Sequence, residues 1–381
     1  MPVATGSTSQ GDAVTTQPTT FAHHLSQDPV PEEVRAAILA EPGFGTNFTD
    51  HMVKIDWFGD VEKGTGRWSD PRVEPYGPLV LDPAAAVLHY GQEIFEGLKA
   101  YRRADGSVWL FRPEANARRF VSSAQRLALP ELPEQQFVAA VEALVRADER
   151  WVPSGHEQSL YLRPFMIADE NFLGVRDART ATFCVIASPV GAYFFGGVSR
   201  VDIWVSRTSS RAGAGGTGAA KCGGNYAASL QATREALAQG CSQVLFLDAT
   251  DHSHIDELGG MNFFVVTADG QLVTPTLTGS ILPGVTRDSI LQLGPLLGLQ
   301  PVERRITLDE VLAGIADGTI TEAFACGTAA VVTPINSLKV DGQVHTLPEL
   351  DAPQSLVVRN ALLDIQYGRA EDPFGWTRRV C

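Results

Sequence analysis

Large apolar side chains are scarce in residues 1–28, which are built mainly from Ser, Thr, Gln, Gly and Pro. Such a segment cannot bury enough surface to offset its ordering entropy, so it reads as a disordered tail. Periodicity begins after it. Pro31–Ala40 predicts a short helix, with Pro at its start and the Glu32–Glu33 pair in the first turn, where the helix dipole favours negative charge. Apolar runs and alternation predict strands over Met52–Trp57, Val108–Arg112, Leu160–Ile167 and Ala181–Ser188. Pro113–Leu127 and Pro133–Arg150 have the spacing of helices opened by proline. Beyond residue 200 further strands are expected over Val201–Ser206, Val244–Asp248, Asn262–Thr267, Gln271–Pro275, Thr319–Ala325 and Ala329–Pro334. Helices are expected at Asn225–Gln239, Thr286–Leu297, Leu308–Ala313 and Pro353–Tyr367. Short strands with interspersed helices give an α+β class rather than regular β-α-β units.

A Gly-rich aromatic stretch, Pro189–Gly197, interrupts the pattern and suggests a division into a domain over 29–188, a linker over 189–199 and a domain over 200–381. The 381 residues are long enough for two domains. A formal charge of −14 argues against a protein that grips nucleic acid through its phosphates, because that needs a basic face. The five cysteines, Cys184, Cys222, Cys241, Cys326 and Cys381, form no C-x-x-C pair and lie far apart. They argue against a disulfide framework or a zinc site and fit a reducing compartment. No apolar run approaches a membrane span, and the first positive charge is Arg35, so neither a signal nor a transit peptide is expected. The cytoplasm is the expected location.

The segment Arg211–Tyr226 carries the first candidate chemistry. Gly213, Gly215 and Gly218 have the spacing of a dinucleotide fingerprint, with Glu235 about 20 residues on. That fingerprint belongs between a strand and the helix it opens. Here the strand ends well before Gly213, and Gly223-Gly224 is expected to interrupt the helix. A P-loop is excluded, since Lys221 has Ala220 before it and Cys222 after it. A flexible loop with an incidental lysine is the bland alternative. Schiff-base chemistry needs a desolvated lysine with small neighbours, which the flanking alanines and glycines supply. His252 and His254 form an H-x-H pair without a third ligand at supporting spacing, so no metal is expected.

Ala220-Lys-Cys-Gly-Gly-Asn-Tyr226 resembles the cofactor-lysine motif of the class IV aminotransferases, the fold-type IV enzymes that use pyridoxal 5′-phosphate (PLP). Other blocks similar to that family follow in order. They are His89-Tyr-Gly-Gln-Glu-Ile-Phe-Glu-Gly-Leu-Lys99, Phe111-Arg-Pro-Glu114, Tyr161-Leu-Arg-Pro164, Gly191-Ala-Tyr193, Asp256-Glu-Leu-Gly-Gly-Met-Asn-Phe-Phe264, Leu282-Pro-Gly-Val-Thr-Arg-Asp288 and Gly327-Thr-Ala-Ala330. Each is weak alone, and together they cover about 50–370. Within the family the sequence is most similar to the branched-chain amino-acid aminotransferases.

The resemblance implies a small α+β domain beside a larger domain with a β-barrel-like core. It implies that Lys221 forms a Schiff base with PLP and then moves the proton between the substrate and the cofactor. Glu257 would face the pyridine nitrogen, and Tyr226 the 3-oxygen. Arg112 would bind the phosphate together with Val285 and Thr286 at a helix start and with Thr328. Phe95 and Tyr193 would wall the substrate pocket, and Tyr90 would be lent by a neighbouring subunit of a homodimer. Tyr161 and Arg163 share one strand face and would meet the α-carboxylate and the second carboxylate, while Thr328 and Ala329 would offer backbone N–H groups. The implied reaction is transamination of leucine, isoleucine or valine with 2-oxoglutarate. Ala330 and Thr333 stand where some relatives have a redox C-x-x-C, so that regulation is not expected. The weighed alternatives are a D-amino-acid transaminase or aminodeoxychorismate lyase on the same scaffold, a nicotinamide oxidoreductase, and a PLP-binding scaffold without activity.

Overall fold

The structure is a computed structural model describing residues 19–191 and 199–381. Two nine-stranded sheets organise the chain. The first half supplies β1 (Ala22–His23), α1 (Glu32–Ala40), β2 (His51–Asp60), β3 (Thr65–Pro75), α2 (Ala86–Tyr90), β4 (Glu93–Phe95), β5 (Leu98–Arg102), β6 (Val108–Phe111), α3 (Pro113–Arg126), α4 (Glu134–Ala147), β7 (Ser159–Ala168) and β8 (Thr180–Val190). Its strands run β1-β3-β2-β8-β7-β5-β6, and β4 pairs with β7. Antiparallel hairpins dominate, with one sheet face packed under α3 and α4 around Phe120, Phe137, Trp151 and Phe183.

The second half adds β9 (Val201–Ser206), α5 (Gly223–Ala238), β10 (Gln243–Leu247), β11 (Ile255–Leu258), β12 (Asn262–Thr267), β13 (Gln271–Pro275), α6 (Val285–Leu293), β14 (Gln300–Arg304), α7 (Leu308–Asp317), β15 (Ile320–Gly327), β16 (Val331–Val340), β17 (Gln343–Thr346), α8 (Gln354–Gln366) and β18 (Thr377–Arg379). Its strand order is β11-β10-β9-β16-β15-β12-β13-β14, with β17 on β16. The two ends of that path meet, because the Ile255 N–H donates to the Ile306 carbonyl at 2.9 Å and His254 bridges Thr307. The sheet thus curls into a barrel-like core, filled by alternating residues such as Ile203, Leu245, Phe263, Val265, Ala325 and Ile335.

Several differences from the sequence reading have local causes. Residues 19–28 are ordered, because Phe21 buries itself in the first core and Ala22–His23 pair with Arg72–Val73. The expected tail over 1–28 is therefore too long at its C-terminal end. β3 was hidden by its polar composition and by Pro71, which falls where the β2–β3 register shifts and no ladder hydrogen bond is needed from it. β18 returns to pair with β6, so the last residues join the first sheet rather than the barrel. Gly223 and Gly224 open α5 instead of breaking it. Ala329 and Ala330 lie in the turn before β16, not within the strand.

Candidate active site

A cavity of about 220 Å³ opens where the two sheets meet. Lys221 lies on the barrel side, immediately before α5, yet its main chain is held from the other sheet. Its N–H donates to the Ser123 hydroxyl on α3 at 3.0 Å, and its carbonyl accepts the Phe95 N–H of β4 at 2.9 Å. The Gly223 N–H donates to the Glu93 carboxylate across the same seam. The lysine is thereby fixed between the two halves.

Its amine donates to the Tyr226 hydroxyl at 2.8 Å and sits 4.7 Å from the centre of the Phe95 ring. Burial lowers the amine to about 8, with the Arg119 guanidinium pressing the same way and Glu96 opposing it. Burial also raises the Tyr226 hydroxyl. Across the cavity stands Glu257 on β11, which is 2% exposed. It accepts from the Leu282 N–H at 2.8 Å, from Asn262 Nδ2 at 3.0 Å and from Arg211 at 2.9 Å. Burial still pushes its carboxyl up to about 7, against the pull of Arg211. Such a group becomes a stable anion when a further cation faces it.

On the other wall, Tyr161 and Arg163 share one face of β7. Arg163 Nη2 donates to the Tyr161 hydroxyl at 3.0 Å, and its guanidinium lies 4.8 Å from the Phe95 ring centre. Arg163 Nε is buried without a partner. A cation held this way has bonding capacity left for a carboxylate. Gly97 faces the Tyr161 hydroxyl so closely that a Cβ there would collide with it, which explains glycine after Phe95-Glu96.

At one end of the cavity, Gly284 caps α6 without a side-chain cap, which leaves the N–H groups of Val285 and Thr286 without an intrahelical partner. A Cβ at Gly284 would strike the Asn262 carboxamide. The Gly327–Ala329 turn lies beside it, its Ala329 carbonyl accepting from Lys99 Nζ at 2.9 Å. Helix start, turn and a nearby guanidinium make an anion site. That guanidinium belongs to Arg119, which lines the cavity and reaches the Pro283 carbonyl at 3.0 Å. Glu96, fully buried, accepts from Arg119 Nε at 2.7 Å and Nη2 at 2.8 Å. Burial pushes Glu96 up, but the Arg119 charge and its hydrogen bonds hold it below the usual carboxylate range.

The cavity therefore gathers Phe95, Tyr161, Arg163, Lys221, Tyr226, Glu257, Val285, Thr286, Thr328 and Ala329 from the residues singled out in the sequence. Arg112 is not among them. It caps α3 at φ +50°, before Pro113, and its guanidinium reaches the Ser289 hydroxyl at 2.7 Å, Asp288 and the Trp376 ring instead. The left-handed conformation at this cap directs the Arg112 side chain to α6, away from the cavity lining. Tyr90 is 43% exposed, hydrogen-bonds the Leu173 carbonyl and lies outside its own chain's cavity. Tyr193 falls outside the described residues.

Sequence reading missed Arg119, Ser123, Glu96 and Arg211. One signal was available for the α3 residues. Asn116, Arg119, Phe120 and Ser123 fall on its buried stripe, and a charge on such a stripe is costly unless paired. Arg211 gave no sign in its Gly-rich setting. His252 and His254 do not converge as a ligand pair; His254 groups with Asp248 and Asp251 in a turn where Asp248 accepts the Ser253 and His254 N–H groups.

A buried amine lowered towards neutrality, a carboxylate awaiting a cation and an anion-binding helix start, all on one cavity, define a site for a planar carbonyl cofactor with an anionic tail. A family model described as amino-transferase class IV matches residues 93–338. The chain belongs to the class IV aminotransferases, which depend on PLP. It is 51% identical over 368 residues to the branched-chain-amino-acid aminotransferase of Mycolicibacterium smegmatis, covering 95% of this chain and 99% of that protein. It is 55% identical over 353 residues to a probable branched-chain-amino-acid aminotransferase of Streptomyces coelicolor, covering 92% and 96%. The branched-chain amino acid aminotransferase of Escherichia coli superposes with a TM-score of 0.71 at 26% identity, covering 87% of this chain and 99% of that one.

Proposed function

We propose that this protein transfers the amino group of branched-chain L-amino acids to 2-oxoglutarate, with Lys221 as the residue that holds PLP. The carrying observation is the Lys221 amine, buried, lowered to about 8 and held between two halves of the chain. Bound PLP supplies an electron sink for the carbanion formed at the substrate α-carbon. Glu257 would face the ring nitrogen and favour its protonated form, with Arg211, Asn262 and the Leu282 N–H holding the carboxylate in place. Tyr226 would hydrogen-bond the ring oxygen, and burial keeps its hydroxyl protonated. Arg119, rather than Arg112, would neutralise the phosphate beside Val285, Thr286 and Thr328. The Lys221 amine would serve as the general acid and base that carries the substrate α-proton.

Tyr161 and the N–H groups of Thr328 and Ala329 bind the α-carboxylate shared by every substrate. Phe95 takes the apolar side chain of the first substrate, and Arg163 takes the second carboxylate of the next. One pocket thus serves both half-reactions. We also propose a homodimer in the cytoplasm. Val80, Leu88, Tyr90, Leu173 and Val175 are exposed around α2 and the loop before β8, an apolar surface suited to a second copy that receives Tyr90. All five cysteines are free, and no helix among the described residues is long and apolar enough to cross a membrane.

The test is chemical trapping. Borohydride reduction of the PLP-loaded enzyme should fix the cofactor on the peptide containing Lys221, and Lys221→Ala should abolish the trapping. Label on another lysine, or on none, rejects the reading.

A further inference from the structure

Behind the anion end of the cavity lies a recess of about 20 Å³, which shares Gly97, Val285, Thr286, Gly327 and Thr328 with it. Its far wall is formed by Lys99, Tyr101, Asn116 and Gln366. Gln366 is the last residue of α8, far in sequence from every block that points to the site. It is 5% exposed, and its Oε1 is buried without a partner. A buried carbonyl oxygen left unpaired is costly, so such atoms usually mark a missing partner. The recess has room for about one water molecule, and its walls offer the two to four polar contacts such a water needs.

We infer that Gln366 is a positioning residue of the anion site, acting on a cofactor phosphate through one water held in this recess. A carboxamide oxygen cannot bond a phosphate oxygen directly, because both only accept. A water between them donates one hydrogen to Gln366 Oε1 and the other towards the phosphate or the hydroxyl of Thr286 or Thr328. Lys99 Nζ and Asn116 Nδ2 already donate to Ala329 and Glu96, whereas Gln366 Oε1 is buried in that wall without a partner.

The inference rests on PLP being the cofactor, and the experiment separates the two. Dissociation constants are measured for PLP and for pyridoxal, which lacks the phosphate, in the wild type, Gln366→Leu and Gln366→Glu. Gln366→Leu removes the acceptor at similar size and should weaken PLP about tenfold, with pyridoxal within about twofold of wild type. Gln366→Glu places a negative charge behind the phosphate and should weaken PLP more than Gln366→Leu does. Equal losses for PLP and pyridoxal, or unchanged PLP affinity, overturn the inference while leaving the proposed function intact. If the wild type fails to bind PLP, the proposed function itself fails. Should Gln366→Leu not fold, Gln366→Met gives the same reading.

Discussion

Lys221 Nζ and the Tyr226 hydroxyl meet at 2.8 Å, yet the lysine precedes α5 and the tyrosine stands within its first turn. The start of one helix therefore delivers both groups to the same point. Because the amine is lowered to about 8, capture of PLP by the apoenzyme should speed up as pH rises through about 8 and level off above it. Glu96 raises that amine, so Glu96→Gln should move the profile to lower pH. A capture rate that is flat between pH 7 and 9 would contradict this account.

Glu257 links the cofactor to stability. Its folded carboxyl stands at about 7, above the unfolded value, so the apoprotein favours the protonated form. The contribution is fully present below the unfolded carboxylate range and is lost as pH rises through about 7. Thermal unfolding of apoprotein should show that loss, and Glu257→Gln should flatten it. Bound PLP, with its ring nitrogen protonated, should also suppress it.

Arg119 and Arg112 make opposite predictions. Arg119→Met should weaken PLP by about 10- to 100-fold, since a buried charged hydrogen-bond donor is lost. It also strands the Glu96 carboxylate, at a cost of about 3–5 kcal/mol in stability. Arg112→Met removes contacts to Asp288, Ser289 and the Trp376 ring, none of which lines the cavity, and should leave PLP affinity within about threefold. Cofactor titration of the two variants decides between them.

Arg163→Ala should slow the glutamate half-reaction on the order of 100-fold, because only glutamate brings a second carboxylate. The leucine half-reaction should change far less. Single-turnover spectra of each half-reaction provide the measure, and equal losses would remove Arg163 from its assigned role.

Tyr90 tests the dimer. Lys221→Ala and Tyr90→Ala homodimers should each be impaired, whereas subunits mixed under exchange should regain activity above either parent. In the mixed dimer one site keeps both residues. Absence of recovery, with exchange verified by mass, would exclude a shared site.

Local chemistry made much of the molecule legible from its sequence. The alternation in Tyr161-Leu162-Arg163 determined that two polar side chains share a face, because strand geometry has a period of two. Pro-Gly before Val285 determined a helix start with open N–H groups, and the small residues around Lys221 determined where a ring could approach. Resemblance in order along the chain carried the family.

Only the tertiary structure decided which arginine faces the anion end. Arg112 and Arg119 are seven residues apart at the start of and within α3, and the deciding facts are the left-handed turn before Pro113 and the buried partner Glu96 in the link between β4 and β5. Likewise, the pairing of β18 with β6, the closing of the barrel through His254 and Thr307, and the arrival of Gln366 behind the anion site depend on contacts between distant segments. Periodicity records which face of an element is inward. It carries no information about what that face meets, because the partner is chosen by packing across the whole chain.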